Sequence, residues 1–409
     1  MSISNVTQSS IPMAVYLLGL SLFAMGSSEF LISGVLPKIA EDLQVSLPSA
    51  GMLISAFAIG VLLGAPPLAV ATLRWPKRAT LLVSQALFVA ATAIGMLVPD
   101  YWSFLVARII SGVAYAGFWA VAATTAVNLV TQDRTGRALS IVVSGLSLAM
   151  VVGGPLGTLI SDIAGWRAGF WAVAVATSIT AFALWFMLPD MQSKNQELTL
   201  HTELKVMVQP KLWIAYGTTI LTTAAYMATF GYLGALLIDT SQLAVTWLPA
   251  ALSLFGIGAF IGLTIGGRTA DRYPFKTLVI GTFGVIVISF ALAFWAEHLI
   301  ATICLVFLLG MFGFVVNPAV MNRVYTIAAD APTLAGATNV SAFQLGITLA
   351  PLLGGLAINA GYGLPSVGWV GALLAIVALI PILLDAYFHN IPYGFQDAAR
   401  RQGNEPPGA

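Results

Sequence analysis

The chain has 409 residues, of which 59% are apolar and only 8% charged, with a mean hydropathy of +0.93. A soluble domain carries roughly 25% charged residues, and no soluble core of this length would hide so much apolar surface, so the composition asks for a lipid bilayer. The net charge of +1 and the lack of a basic patch argue against nucleic acid as a partner. The single cysteine, Cys304, rules out an intramolecular disulfide and a thiolate metal site. His201, His298 and His389 stand far apart with no HExxH spacing, so neither a metal nor a cofactor is expected.

Met1 to Pro12 contain no Lys or Arg ahead of the first apolar run, unlike a secretory signal, and the first span is expected to remain in the mature protein. A membrane-spanning helix takes about 20 predominantly apolar residues. Twelve stretches qualify: 12–36, 48–72, 79–98, 102–126, 138–161, 168–188, 211–238, 247–269, 276–297, 299–321, 335–358 and 365–388. The expected fold is an all-α membrane protein of twelve transmembrane helices in two pseudo-symmetric six-helix bundles, residues 12–188 and 211–388. A polar linker, 189–210, joins them, and a polar tail, 389–409, ends in Pro and Gly.

Basic residues concentrate in cytoplasmic loops. With a cytoplasmic N-terminus, fourteen of the seventeen Lys and Arg residues fall inside, among them Arg74, Lys77, Arg78, Arg268, Arg272, Lys276 and Arg323. Lys38 and Arg167 fall outside and Arg108 lies within span four. This distribution predicts both termini inside, with linker and tail cytoplasmic.

The halves align at an offset of 198 residues. Ser55, Phe57, Ile59, Gly60 and Gly64 meet Ser253, Phe255, Ile257, Gly258 and Gly262; Arg74 and Pro76 meet Arg272 and Pro274; Gly112 meets Gly310. A run at one offset that extends into a polar loop indicates duplication. Two parallel six-helix repeats suit a transporter with its site between them near the bilayer midplane.

Glu29, inside span one, carries the sharpest signal. An ionised carboxylate at that depth costs several kcal/mol. A carboxyl that can be charged or neutral is what proton coupling requires, whereas a Glu nearer the surface would merely be solvated. Arg108 lies ~9 Å into span four and Glu29 ~10 Å into span one, by the rise of a helix, so the two can pair directly or through water. The repeat places Val306 opposite Arg108, so the duplication itself demands no arginine here; a purely structural ion pair is the competing reading.

Arg108, Gly112, Tyr115 and Trp119 share one helix face, which is expected to line a cavity with aromatic surface. Tyr226 and Phe230 in span seven, and Asn317, Asn339, Phe343 and Gln344 in spans ten and eleven, are further candidates to line it or to pack between helices. The loop after span two, with Gly64, Arg74 and Arg78, and its repeat, with Gly262, Asp271 and Arg272, mark the inner ends of the spans. Gly154, Pro155 and Gly157 in span five, and Pro351 and Gly354 in span eleven, read as close-packed, slightly bent segments.

On these residues the sequence resembles the major facilitator superfamily over about 12–388, and within it the twelve-span drug:proton antiporters. The superfamily's loop motif between spans two and three is similar to Gly262 through Lys276; in the first half its acidic position is Leu73. The span-four motif R-x-x-x-G stands as Arg108 to Gly112, where the resemblance implies a link to proton coupling. The antiporter motif of span five stands degenerately as Gly154-Pro155-Leu156-Gly157, and a fuller version as Gly346 to Gly355, implying export. SSEFLISGVLP, SAFAIGVLLGAP, LRWPKR and GWRAGFW resemble bacterial chloramphenicol-resistance exporters, and AGFWAVAATTA the sugar-efflux exporters of the same branch. In that branch Glu29 would be the proton-binding carboxyl.

The resemblance implies a monomer in the bacterial inner membrane whose partners are protons, lipid and a small-molecule substrate. The expected function is proton-coupled efflux of a small, largely uncharged compound, with an amphenicol such as chloramphenicol as first guess. A sugar or nucleoside carrier of the same fold is the alternative. A membrane-embedded enzyme or sensor is a remote one, since the chain offers no HExxH and no sizeable soluble domain.

Overall fold

The computed structural model describes residues 11–72, 75–131, 134–189, 206–270, 272–328 and 332–390. They form α-helices with no strand among them. In chain order these are α1 (Met13–Asp42), α2 (Leu47–Ala71), α3 (Lys77–Leu97), α4 (Tyr101–Asn128), α5 (Thr135–Ala164) and α6 (Trp166–Met187). There follow α7 (Pro210–Gly231, resuming as Leu233–Thr240), α8 (Val245–Ala270), α9 (Pro274–Trp295), α10 (Leu299–Ile327), α11 (Leu334–Tyr362) and α12 (Ser366–Tyr387). Eleven are long and apolar enough to cross a membrane as single helices, and α7, bent by 40° at its break, makes a twelfth. The chain is thus a multi-pass membrane protein. Arg74, Asp271, most of the linker and nearly all of the tail lie outside the described residues.

Local chemistry sets the helix ends. Ser46 opens α2 by accepting a hydrogen bond from Ser49 N–H at 3.2 Å, and Asp100 opens α4 by accepting from Ser103 N–H at 2.8 Å; each satisfies a donor the helix cannot. Prolines begin α7 and α9, where a missing N–H costs nothing.

The interiors depart from straight helices where proline and glycine demand it. α1 runs on to Asp42, beyond the expected end at 36. In α5, a π turn over Ala149–Gly153 immediately precedes Gly154 and Pro155; the proline removes one ladder bond and the turn takes up the misfit. The single helix expected over 211–238 is broken at Tyr232. α10 is interrupted at Val316, just before Asn317 and Pro318. α11 ends in a π turn over Ile358–Tyr362 that Gly361 leaves at φ 90°, a conformation that favours glycine.

The two halves pack alike in detail. A Cβ on Gly60 would strike the Ile109 carbonyl and one on Gly112 the Phe57 carbonyl, so α2 and α4 touch backbone to backbone. A Cβ on Gly258 would strike the Phe307 carbonyl and one on Gly310 the Phe255 carbonyl, giving α8 and α10 the same contact at the same offset of 198. Gly64 and Gly262 extend these contacts, against Val113 and Met311 respectively. The glycines of the loop motif thus serve helix packing.

Charged residues collect at the two ends of the bundle. At one end Lys38 pairs with Asp162 at 2.6 Å and Arg167 with Asp42 at 2.5 Å, tying the end of α1 to α5 and α6. At the other end Arg78 donates to the Trp185 carbonyl at 2.5 Å, Arg272 lies 5.3 Å from the Tyr273 ring, and Arg323 grips Asp385 with two hydrogen bonds of 2.7 and 2.8 Å.

Contacts between the halves gather near the first end. Ser33 and Gly34 of α1 meet Gly234 of α7, and Met150 and Val151 of α5 meet Gly256 of α8. The Tyr232 hydroxyl donates to the Pro351 carbonyl at 2.8 Å and lies against Gly51 of α2. α2 and α11 also touch further along, where Ser55 donates to Thr348 O at 2.8 Å and, at the level of the cavity, Ser341 donates to Leu62 O at 2.9 Å.

Candidate functional site

A cavity of about 240 Å³ lies between the halves. It begins at the level of Glu29 and runs away from the closed end, reaching Trp119 of α4, Val143 of α5, Met321 of α10 and Asn339 of α11. The N-terminal half supplies Glu29, Tyr115 and Trp119, with Val143, Leu146 and Met150 from α5. The C-terminal half supplies most of the polar groups: Thr219 and Thr222 from α7, Asn317 from α10, and Asn339 and Gln344 from α11. Phe314 and Phe343 complete that side. Such a wall, apolar with a few placed polar groups, suits a small organic molecule.

Glu29 is half-buried in this wall. Its Oε1 is enclosed and has no hydrogen-bond partner among the described residues. Gln344, from the opposite half, borders the same cavity and acts on the carboxyl, with no hydrogen bond between the two among the described residues. On its closed-end side Glu29 also borders a pocket of about 10 Å³, shared with Ser33, Ile54, Phe230 and Pro351, roughly the room for one water.

Arg108 is placed differently from the expectation that it lines the cavity. It is only 3% exposed, with Nη1 donating to Ser28 Oγ at 2.7 Å and Ser28 O at 3.3 Å, and Nε to Leu53 O at 3.3 Å. Its guanidinium carbon is 4.5 Å from the Phe57 ring centre and 5.7 Å from that of Phe170. A buried arginine needs acceptors for its fork; the serine and carbonyls of α1 and α2 provide them for Nε and Nη1, and Nη2 has none among the described residues. Arg108 and Glu29 therefore interact electrostatically, with no direct ion pair between them among the described residues. Gly112, one turn on, packs against α2 as described above, so the face shared by four residues is split. Its far half, Tyr115 and Trp119, lines the cavity; its near half is packed.

The remaining candidates separate in the same manner. Phe230 borders the small pocket and stacks on Phe255 at 4.3 Å while meeting Phe30 of the other half edge-on at 6.2 Å. Tyr226 is fully buried behind the wall, 5.0 Å from Phe314, with Asn317 and Thr223 beside its hydroxyl. Asn339 of the cavity wall accepts from Thr219 at 2.8 Å. Gly154 and Gly157 bring α5 against Phe30 and Leu31 of α1, with the buried Pro155 between them. Pro351 and Gly354 surround Tyr232.

A six-and-six bundle with a central cavity and a duplicated glycine seam has counterparts among known proteins. The model of the Major Facilitator Superfamily matches residues 18–342. The chain belongs to this superfamily. It is 38% identical over 372 residues, 90% of this chain and 95% of its relative, to the "Chloramphenicol resistance protein" of Streptomyces lividans. It is 28% identical over 368 residues, 90% and 93% of the two chains, to the "Probable sugar efflux transporter" of Helicobacter pylori strain G27. In fold it is similar to a bacterial homologue of the human lysosomal transporter Spinster, solved in an inward-facing, occupied conformation. The TM-score there is 0.73 at 15% identity, covering 94% of this chain and 98% of that one. The protein is a membrane transporter and not an enzyme.

Several residues of this facilitator's site were not singled out in the sequence. Ser28, which holds Arg108, is the immediate neighbour of Glu29. Thr219 and Thr222 form a threonine-rich turn on α7 at a spacing that repeats on one face. Outside the site, the pairing of Asp385 with Arg323 was also not singled out, although an acid near the end of an apolar helix is a signal for a partner.

Proposed function

We propose that the protein is a proton-coupled exporter of a small, largely uncharged organic compound, with chloramphenicol as first candidate. The observation that carries the proposal is the Glu29 carboxyl. It stands in the wall of the central cavity, which it shares with Gln344 from the opposite half, and is electrostatically coupled to Arg108. A lone carboxyl at a two-domain interface can bind a proton in one arrangement of the halves and release it in the other. The two bundles, residues 12–188 and 211–388, are the rocking units, joined by a cytoplasmic linker. Both termini lie in the cytoplasm, and the protein works as a monomer in the bacterial inner membrane. Under that orientation the cavity opens inward and the ion pairs of Lys38 and Arg167 face outward, matching the bias of basic residues toward the inside.

Arg108, fixed to Ser28 beside Glu29, biases the proton affinity of the carboxyl between states, and a shift of α1 relative to α4 would change that bias. Substrate rests on Tyr115, Trp119 and Phe343 and hydrogen-bonds to Asn317, Asn339 and Gln344. The export direction is supported by the Gly154-Pro155-Leu156-Gly157 segment that follows the π turn of α5 and by the names of the two relatives above. Growth of an efflux-deficient bacterial host on chloramphenicol tests the proposal, comparing wild type and Glu29→Gln at equal expression. Protection by wild type alone is the expected result; equal protection by both would remove Glu29 from the mechanism. The amide-rich C-terminal wall and the sugar-efflux relative favour a second reading, sugar export by the same machinery, which the same host resolves if it is protected against a toxic sugar analogue instead.

A further inference from the structure

The small pocket of about 10 Å³ touches Glu29 on its closed-end side, between α1 and α2 of one half and α7 and α11 of the other. Glu29 and Ser33 are the polar side chains on its wall, and Phe30, Ile54 and Phe230 are among the apolar ones. Building on the proposed proton role of Glu29, we infer that this pocket is a water-binding site, formed by Ser33 and the Ile347 carbonyl, through which Glu29 exchanges protons with the closed end.

Ser33 differs from the other buried serines of α1. Ser21 and Ser27 donate to carbonyls four residues back, Leu17 O at 2.8 Å and Phe23 O at 2.6 Å, the ordinary arrangement for a serine inside a helix. Ser28 accepts from Arg108 at 2.7 Å. Ser33 is 1% exposed and has no hydrogen-bond partner among the described residues, and a buried hydroxyl needs one. It borders the small pocket and not the large cavity, one helical turn from Glu29 toward the closed end.

α11 supplies a third polar group. Pro351 has no N–H, so the carbonyl four residues back, that of Ile347, loses its ladder donor. Both residues border the pocket. A single water there has a matched set of partners. It accepts from the Ser33 O–H and donates to the Glu29 carboxylate and the Ile347 carbonyl, about the number of bonds a buried water makes.

The placement gives substrate and proton separate approaches to one carboxyl. Substrate meets Glu29 from the large cavity; the proton arrives from the opposite side. When the halves part at the closed end, the water gives one proton to the carboxylate and takes one from bulk water. One O–H bond breaks as another forms, the water is restored, and one proton has moved. While that end is shut, Phe30 and Phe230, from opposite halves and 6.2 Å apart, wall the pocket in. Among the described residues no titratable group besides Glu29 borders it.

Infrared difference spectra of the full chain in lipid nanodiscs test this inference. They are recorded across a pH jump with no substrate added and repeated in heavy-oxygen water. Glu29→Gln assigns the acid carbonyl band. In wild type the gain of that band should be accompanied by a change in one water O–H stretch, recognised by its shift in heavy-oxygen water. Ser33→Val fills the pocket with a methyl group and should abolish the water band while keeping the Glu29 acid band. Ser33→Ala keeps the room but removes the donor, and should shift the water band in frequency. A merely structural serine would leave that band unmoved in both variants. A Glu29 band with no water companion, or a companion unchanged in the Ser33 variants, overturns this inference and leaves the proton role of Glu29 standing. No Glu29 band at any pH overturns both. If Ser33→Val does not fold, Ser33→Ala decides. Chloramphenicol takes no part, so a wrong substrate does not affect the outcome.

Discussion

Arg108 shows how a charge is kept inside an apolar bundle. Two of its nitrogens find acceptors on α1 and α2, and two aromatic rings cover its faces. A lysine places its charge at one point and cannot span Ser28 and Leu53 together. Arg108→Lys is therefore expected to lower stability by about 1–3 kcal/mol, the cost of leaving buried polar groups unpaired, read as the melting transition of the purified protein. Unchanged melting would show that the fork is not needed. Trp119 is different, because it borders the cavity, is only partly buried and has no hydrogen-bond partner among the described residues. Trp119→Ala should weaken chloramphenicol binding about tenfold, taking an aromatic contact of ~1–1.5 kcal/mol beyond its area, while leaving the melting transition nearly in place.

This scale also bounds what the sequence revealed. Glu29 and Arg108 were legible because charges in apolar runs need a reason. The direction of the guanidinium was not, because residues at i, i+4, i+7 and i+11 share a helix face only approximately. Which end of that face meets a neighbouring helix and which meets a cavity depends on packing that α4 alone does not encode.

At the scale of elements, the structure turns on glycines at fixed places. Gly112 and Gly310 sit at equivalent points of the two halves, each against a carbonyl of the neighbouring helix. Alanine at either position must push two backbones apart, an overpacking cost of typically ~1–3 kcal/mol. Gly112→Ala and Gly310→Ala should accordingly lower the melting transition by similar amounts, and a large disparity would contradict the symmetry of the seams. The twelve apolar stretches and the duplication were visible in the sequence because period and offset are one-dimensional. The break at Tyr232 and the interruption at Val316 were not, because Gly231 and Pro318 stand inside apolar runs whose continuous hydropathy reads as one span.

The cap of α4 carries a pH signature. The Ser103 N–H holds the Asp100 carboxyl below the usual carboxylate range. A carboxyl lowered on folding contributes stability above its unfolded pKa, about 3.9, and loses it as pH falls through the folded value. Asp100→Asn keeps a capping oxygen but does not titrate there. The melting temperature of the variant should thus fall less steeply than that of wild type below about pH 4, and parallel curves would exclude the cap as a contributor.

For the whole molecule, the closed end and the cavity define one of two arrangements. Tyr232, Ser55 and the contacts of α5 with α8 shut one side, while Val143, Met321 and Asn339 line the space on the other. In a background where Cys304 is replaced by serine, a cysteine at Val143 should react with a bulky membrane-impermeant maleimide in inside-out vesicles and not in right-side-out ones. The reverse pattern would invert the proposed orientation. The sequence foretold the helices of two bundles, and the orientation expected from its charges is what this labelling tests. It could not foretell which end closes, since both arrangements use the same helices and differ only in contacts between them.

Proton movement through Glu29 is tested most directly in reconstituted vesicles. Wild type and Glu29→Gln would be compared for chloramphenicol transport driven by an imposed pH gradient and for chloramphenicol exchange without one. Wild type should concentrate the compound against its gradient; Glu29→Gln should lose that uphill transport and keep the exchange. Uphill transport by Glu29→Gln equal to wild type would contradict the account at its centre.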